Sequence, residues 1–260
     1  MMNEQYQNSE NLDIRIQIHQ NYSTNPEDWH MWLFDQYDIK PGSRILELGC
    51  GNGVFWQKNR DRVPKHWSIT LSDLSEGMLS DTQSALQPLS NFQYKQINIE
   101  DIPFETNTFD VVIANHMLYH VPNRERGLAE VRRVLKDGGV FYSSTIGNEH
   151  MQEFGMLLQE FDEAINFSAA YDQARTFGLE NGRSQLAPHF HHIELKPFPG
   201  DLNITTVSAV VDYLRSTQTE AKAKLTGTTL KAFEHFLRSK MDENGGSIKI
   251  TKSTGLFASK

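Results

Sequence analysis

The chain has 260 residues, a formal net charge of −8 and a single cysteine, Cys50. This length suffices to bury a substantial core, and 38% hydrophobic with 22% charged residues is typical of a globular protein. The negative charge, with no run of Lys or Arg, argues against a nucleic-acid partner and against an anionic membrane surface. One cysteine also excludes an internal disulfide, which suits a reducing compartment.

The first residues, MMNEQYQNSENLD, are polar and acidic, unlike the basic and apolar regions of a secretory signal. No apolar run approaches the roughly 18 residues that a membrane span needs. We therefore predict a soluble, cytoplasmic protein without a membrane partner, in which residues 1–12 form a flexible tail.

A helix is predicted to begin in the segment TNPEDW, with Asn25 as its cap and Pro26 at its first position. Apolar residues then recur at helical spacing, which gives this helix one face for packing. These residues are Trp29, Trp32 and Leu33. We assign residues 13–40 to N-terminal cap helices.

From residue 44 onward, short apolar runs alternate with helical patterns. The runs are RILEL, SITLS, QYKQI, DVVIA and GVFYSST. Strands separated by helices at this spacing predict an α/β fold, a doubly wound and mostly parallel sheet with helices on both faces. The pattern occupies residues 41–146, and its last helix, 124–136, is predicted to end at two glycines.

After residue 146, amphipathic helical patterns dominate, including one stretch at about 174–187. The segments HHIELKPF and SIKITKSTGLFASK each predict a strand, the second closing the chain. We therefore predict that residues 147–260 supply the remainder of the sheet together with helical lid insertions, at about 147–173 and 203–245.

The sequence ILELGCGNG ends the first predicted strand and opens into glycines at every second position, Gly49, Gly51 and Gly53. Backbone without Cβ atoms lets a ligand lie close to the main chain, at the sheet edge where α/β proteins bind ligands. By itself, such a loop also fits a plain strand-to-helix turn. Asp73 ends the second predicted strand, where a carboxylate accepts bonds from ribose hydroxyls or caps the next helix.

Together with the segment NIEDIPFETNTFDVVIANHMLYHV, these motifs resemble the class I S-adenosylmethionine-dependent methyltransferases. The resemblance is to the small-molecule branch, which includes quinone-biosynthesis methyltransferases, and covers about residues 40–146. ILELGCGNG matches the family's first motif, LSDLSEGML its ribose-binding turn, and NIEDIPFETNTFD its adenine-side segment. The resemblance implies a Rossmann-like seven-stranded sheet with six parallel strands and a last, antiparallel one.

The resemblance also implies S-adenosyl-L-methionine as the cofactor and S-adenosyl-L-homocysteine as the product. The residues placed at the cofactor are Tyr22, Glu47, Gly49, Cys50, Gly51, Gly53, Asp73, Leu74, Asn98, Ile99 and Asn115. The glycines would approach the methionine part and the ribose, and Glu47 would reach the amino group, directly or through water. Asp73 would hold the ribose hydroxyls.

On the adenine side, the resemblance implies that Leu74 packs on the base and that Ile99 offers its backbone N–H to the base edge. Relatives usually carry Asp where this chain has Asn98, so the contact with the adenine amino group would be uncharged.

On the acceptor side, Asn115 and His116 would line the sulfonium after the fourth strand. His116 is the candidate general base, and a histidine bonded to neighbouring backbone is the alternative. Tyr22 either closes over the sulfonium or only packs its helix. Cys50 is small filler of the loop, not a nucleophile.

The predicted partner is a small organic methyl acceptor, bound by a monomer or homodimer. The Asn/Asp-Pro-Pro-aromatic motif of base-amino methyltransferases is absent, since NHML follows the fourth strand. We expect no metal site at His189, His191 and His192, because consecutive strand residues point to opposite faces and no further ligand lies nearby.

Two rival functions remain open. An NAD-dependent oxidoreductase also uses a glycine turn and a ribose acid, but its fingerprint is G-x-G-x-x-G, whereas here the spacing is G-x-G-x-G. Glu47 would repel a pyrophosphate and suits a ligand with an ammonium group. The other rival is a non-catalytic S-adenosylmethionine-binding protein.

Overall fold

The structure is a computed structural model that describes residues 10–87, 90–165, 174–217 and 219–260. The chain divides into two compact units, each assembled from separate segments. The described residues of Met1–Pro26, Asn148–Gln173 and Pro199–Ser253 make up one, called here the helical unit. Those of Glu27–Gly147, Ala174–Phe198 and Thr254–Lys260 make up the other, the sheet unit.

The strands in the described ranges are β1 Arg44–Leu48, β2 Ser68–Asp73, β3 Phe92–Gln96, β4 Phe109–Asn115, β5 Leu135–Ile146, β6 Ile193–Phe198, β7 Leu202–Ile204, β8 Ile248–Ile250 and β9 Thr254–Ser259. The helices are α1 Glu10–Tyr22, α2 Trp29–Gln36, α3 Val54–Lys58, α4 Glu76–Leu86, α5 Arg124–Val134, α6 Gln152–Phe161, α7 Gly182–Leu186, α8 Val207–Thr217, α9 Thr219–Lys224 and α10 Gly227–Glu243. Short 3₁₀ turns lie at Arg60–Arg62, Leu118–His120 and Arg175–Phe177.

The sheet unit is built on a seven-stranded sheet with the order β3-β2-β1-β4-β5-β9-β6. Strands β1 to β5 pair in parallel, and β9 pairs antiparallel with both β5 and β6. Six strands therefore run in one direction and the last strand of the chain runs against them. This confirms the predicted fold class, including the single antiparallel strand.

Both faces of this sheet are covered, which is why its strands are apolar runs instead of alternating patterns. On β1, Leu46 and Leu48 point into one cluster, with residues of α5 and α7, while Ile45 points into the other, with residues of α2, α3 and α4. Glu47 alternates with Leu46 and Leu48, so its side chain lies on the face of Ile45. That position takes a carboxyl group into a layer made mainly of apolar side chains.

The helical unit packs α1, α6, α8, α9 and α10 around the β7–β8 ribbon. Its buried core includes Phe154 from α6, Leu214 from α8, and Phe233 and Leu237 from α10. The apolar positions recur every three or four residues along these helices, so each amphipathic stripe is buried inside this unit. None of the helices in the described ranges is long and apolar enough to cross a membrane.

The predicted closing strand, SIKITKSTGLFASK, is corrected to two strands. Its first part, β8, pairs with β7, and its second part, β9, joins the large sheet. The ladder stops between them because other groups take the backbone N–H groups. Thr251 N donates to the Glu153 carboxylate at 3.0 Å and Ser253 N to His150 Nδ1 at 3.2 Å.

Two predicted helix ends are also corrected. Helix α2 begins at Trp29 and not at Pro26, since Asp28 is its N-cap and accepts from His30 N at 2.9 Å. Helix α5 ends at Val134, two residues early, because Leu135 already pairs with Phe109 in the sheet.

Two other predicted segments differ or fall partly outside the described residues. The predicted helix at 174–187 consists of one 3₁₀ turn and the five-residue α7. The Asn181 side chain accepts from Gly178 N at 2.7 Å and holds the chain in a turn between them. Residues 1–9 of the predicted tail and 166–173 of a predicted lid lie outside the described residues, whereas 10–12 belong to α1.

Candidate functional site

The loop between β1 and α3 needs glycine for its backbone conformation. Gly49, Gly51 and Gly53 all have left-handed φ angles, of 73°, 57° and 74°. The Thr82 hydroxyl of α4 donates to the Gly51 carbonyl at 2.7 Å and so fastens the loop to the next helix. A Cβ added at Gly51 would meet no atom within 4 Å, so one side of the loop backbone is open.

Asp73 at the end of β2 is bound to this loop. Its carboxylate accepts from Gly51 N at 3.0 Å and from Ser75 N at 2.8 Å. Ser75 is the N-cap of α4, so Asp73 shapes the turn before the helix without capping it. Burial raises the pKa of Asp73, and the backbone N–H bonds oppose this rise. The structure thus joins the two sequence motifs into one feature, although they lie 22 residues apart.

Leu74, the next residue, is an apolar side chain that is 55% exposed. It stands beside the half-buried Asp73, at the carboxyl edge of the parallel strands. A carboxylate next to an exposed apolar surface suits a ligand with hydroxyl groups on one part and a flat, weakly polar ring on another.

Glu47 is the buried acid of the site, with 2% of its surface exposed. Its two carboxyl oxygens have different donors: Trp56 Nε1 lies 2.5 Å from Oε2, and Asn115 Nδ2 lies 3.3 Å from Oε1. Burial raises the pKa of Glu47 to about 7, against the effect of these two donors, and the charge of Asp73 adds to the rise. Near neutral pH, a small gain in favourable contacts is therefore enough to ionise it.

Asn115 connects Glu47 to residues that the sequence did not single out. Its side-chain oxygen accepts from the Tyr37 hydroxyl and from Ser144 Oγ, each at 3.0 Å. Ser144 is its register partner on β5, and Tyr37 follows α2. The only sequence signal for Ser144 is its place near the end of a predicted strand. In the sequence, Trp56 is recognisable only as an apolar residue that follows the glycine loop.

His116 is held in a strained backbone conformation, with φ at 50°. Its N–H lies 3.1 Å from the Ser144 carbonyl and 3.2 Å from Ser144 Oγ. The imidazole is 5.3 Å from the Trp29 ring, which itself packs on Trp32 and Phe198. Desolvation lowers the pKa of His116 to about 4, so the ring is neutral at pH 7. The backbone N–H is therefore bonded and the ring lies within an aromatic cluster, while the choice between a general base and a histidine bonded to neighbouring backbone stays a prediction.

On the predicted adenine side, Asn98 is exposed and Ile99 is 5% exposed. The Asn98 side-chain oxygen accepts from Glu100 N at 3.0 Å, so one of its lone pairs already serves a local turn. The Ile99 side chain packs against Gly127 of α5, where an added Cβ would lie 3.3 Å from Ile99 Cγ1. The roles of both residues toward a base stay predictions.

Cys50 is buried, and burial raises the pKa of its thiol, which therefore stays protonated at neutral pH. A protonated, buried thiol suits a filler of the loop and not a nucleophile. Tyr22 lies in the helical unit, where its hydroxyl is 2.5 Å from Thr206 Oγ1. Its role toward the cofactor stays a prediction.

The three histidines near β6 have different surroundings. His189 Nε2 lies 3.1 Å from a Glu125 carboxyl oxygen, while His191 and His192 are exposed and follow each other into β6. Within the described residues, no three His, Cys, Asp or Glu side chains are grouped so that they could hold a metal ion.

Comparison with known proteins indicates the class of protein that has this fold and site. Residues 46–143 match the profile of a family described as "Methyltransferase domain". A putative methyltransferase from Bacillus halodurans C-125 has the same fold, with a TM-score of 0.61 and 19% identity over 89% of this chain and 97% of that one. The phosphoethanolamine N-methyltransferase 2 of Haemonchus contortus, solved with S-adenosyl-L-methionine, has a TM-score of 0.55, with 18% identity over 96% of this chain and 56% of that one.

The sheet order and the family match define a methyltransferase-type fold, and they confirm the resemblance to class I S-adenosylmethionine-dependent methyltransferases. Among individual proteins, the chain is similar to the ubiquinone/menaquinone biosynthesis C-methyltransferase UbiE of Xanthomonas oryzae pv. oryzae. The two are 34% identical over 114 residues, which are 43% of this chain and 45% of that protein. The match thus spans less than half the length of the curated relative.

Proposed function

We propose that this chain is an S-adenosyl-L-methionine-dependent methyltransferase that transfers a methyl group to a small organic acceptor. The observation that carries the proposal is the placement of two carboxyl groups at one glycine loop with open backbone at Gly51. Glu47 lies on the strand that leads into the loop, and Asp73 accepts from Gly51 N. A methionine ammonium and a ribose need acceptors of this kind. The family match of residues 46–143 and the similarity to UbiE support the same function.

In this proposal, Glu47 faces the ammonium group of the methionine part. Its carboxylate keeps lone pairs beyond those used by Trp56 and Asn115, since a carboxylate accepts about four bonds. An approaching cation favours its ionised form, and so binding offsets the cost of burying its charge. Asp73 holds the ribose hydroxyls, and Leu74 covers one face of the base.

When bound, the cofactor would supply an electrophilic methyl group for in-line attack by an acceptor lone pair, with the sulfur of S-adenosyl-L-homocysteine as the leaving group. The chain itself then has to position the acceptor and exclude water. His116, with Trp29 beside it, occupies the end of β4 where we place the acceptor. Its neutral imidazole is able to accept a proton from an acceptor, but with a pKa of about 4 it is a weak base. Positioning an acceptor through a hydrogen bond suits it better than complete proton transfer.

The partner that we propose is a small molecule and not a nucleic acid, in keeping with the net charge of −8. A cytoplasmic location and a monomeric or homodimeric state belong to the same proposal, and the single cysteine agrees with a reducing compartment.

Thermal unfolding with added ligands tests the cofactor. We expect S-adenosyl-L-homocysteine to raise the Tm, since a ligand at 100 times its Kd stabilises by about 2.7 kcal/mol, and NAD to leave the Tm unchanged. The opposite pattern would establish the oxidoreductase hypothesis instead. Incubation with methyl-labelled cofactor and a metabolite extract then tests transfer. Binding without any labelled product would leave only a non-catalytic binding protein.

A further inference from the structure

The Asn115 amide of the site has a defined orientation. Its oxygen receives the Tyr37 and Ser144 hydroxyls, and its NH₂ group faces Glu47. The oxygen and nitrogen of an amide are nearly equal in size, so hydrogen-bond partners decide which way it turns. Ser144 Oγ also accepts from His116 N, and this leaves the serine proton for Asn115.

This orientation matters for the charge of Glu47. In this orientation, the carboxyl group has a donor on each oxygen, Trp56 Nε1 and Asn115 Nδ2, and donors stabilise a carboxylate. If the amide turned over, its oxygen would face Glu47 and would favour the protonated acid. The buried Tyr37 is neutral, because desolvation raises the pKa of its phenol well above the ordinary value, and a neutral phenol has a proton to donate.

We propose that Tyr37 is a positioning residue of the cofactor site, whose hydroxyl fixes the Asn115 amide and thereby keeps Glu47 in the form that binds a cationic ammonium group. This inference rests on the proposed function, since it deepens the role of Glu47 in that site. Tyr37 acts through Asn115 and does not itself contact the ligand. The titratable groups that interact electrostatically with Glu47 are Asp73, Cys50 and Tyr37, whereas Tyr142 interacts with Tyr37 and not with Glu47.

The test compares Tyr37→Phe with Tyr142→Phe in the full chain. The Tyr142 ring is 4.6 Å from that of Tyr37, but its hydroxyl accepts from Asp38 N at 2.9 Å. Both variants lose one phenol oxygen from the same ring pair, so they are matched in packing. Calorimetric titration with S-adenosyl-L-homocysteine from pH 6 to pH 9 gives the affinity at each pH. Titration of the ligand's own amino group changes the affinity equally for every variant, so it cancels in the comparison.

For the wild type, we expect affinity to rise with pH as Glu47 ionises. Tyr37→Phe should move this rise upward by about 0.4–1 pH unit, the equivalent of one neutral hydrogen bond. Its affinity should fall about two- to fivefold at pH 7 and return to the wild-type value at pH 9. Tyr142→Phe should follow the wild type.

Superimposable profiles for Tyr37→Phe and the wild type overturn the positioning role, and so does an equal shift in both tyrosine variants, which indicates packing. If Tyr37→Phe does not fold, Ser144→Ala removes the other hydroxyl from the same amide, and an unchanged profile there overturns the role as well. A wild type without affinity at any pH contradicts the proposed function itself, and the inference fails with it.

Discussion

Gly53 packs against Thr82 so closely that an added Cβ atom would lie 2.8 Å from Thr82 Cγ2. The Thr82 hydroxyl also holds the Gly51 carbonyl, and the Asp73 carboxylate holds the Gly51 N–H. The glycine loop is therefore held at Gly51 by the last residue of β2 and by the helix α4 that follows it. Its conformation is a property of the tertiary structure as well as of its own residues.

Alanine substitutions separate the two reasons for glycine in this loop. We expect Gly53→Ala to destabilise the protein by about 2–4 kcal/mol, since it combines a left-handed residue with overpacking against Thr82. Gly51→Ala is the matched control, where the open side leaves only the backbone cost of about 1–2 kcal/mol. Urea denaturation measures both values. Equal losses in the two variants would show that the contact with Thr82 contributes nothing.

Asp73→Asn should weaken S-adenosyl-L-homocysteine binding by roughly 1–3 kcal/mol, the cost of unmade bonds to a charged group. The amide is chosen over alanine because its one oxygen still accepts from Gly51 N or from Ser75 N, which Asp73 binds through different oxygens. Asp110→Asn is the control, since Asp110 pairs with Lys136 near the start of β4. Calorimetry that gives Asp73→Asn the wild-type affinity removes Asp73 from the site.

Glu47 should make the ligand-free protein less stable as the pH rises. Its pKa is about 7 in the folded protein and 4.5 ordinarily, so the folded state retains a proton that the unfolded state loses between these values. The contribution of Glu47 to the free energy of unfolding is therefore highest below pH 4.5. It falls by about 3 kcal/mol as the pH rises from 4.5 to just above 7, and then stays constant.

Glu47→Gln cannot titrate, so its free energy of unfolding should lack the part of this fall that lies between pH 5 and pH 8, about 2.5 kcal/mol. Urea denaturation at both pH values gives the comparison, in which the other titrating groups are common to the two proteins. The same variant should bind S-adenosyl-L-homocysteine more weakly. Parallel pH profiles of stability would mean that Glu47 is already ionised in the free protein.

His116→Asn should slow methyl transfer while cofactor affinity stays within about twofold, because Asn tolerates the left-handed backbone but lacks an imidazole. With a pKa of about 4, the histidine gives no step in turnover between pH 5.5 and pH 8. His120→Asn, whose ring packs on Tyr119, serves as the control. Turnover with methyl-labelled cofactor measures both. A step near pH 6.5 that vanishes only in His116→Asn would establish a titrating base instead.

By itself, the sequence determined the parallel α/β sheet and the glycine loop with its partner acid, because these depend on short patterns. An apolar run has to be buried on both faces, and a ligand loop needs left-handed residues wherever its backbone turns. The pattern did not predict that the last segment divides into β8 and β9, since both parts have the composition of a strand. The side chains of Glu153, Asp201 and His150 take the backbone N–H groups between the two parts and interrupt the ladder there.

Tertiary structure alone decided what surrounds Glu47. Asn115 lies 68 residues after Glu47, and Tyr37, which orients it, lies 78 residues before Asn115. No local pattern encodes which polar residues meet at the ends of neighbouring strands, because that depends on strand register and on how α2 packs. The charge of the buried acid is set by the same packing, through desolvation and the donors that packing brings to it.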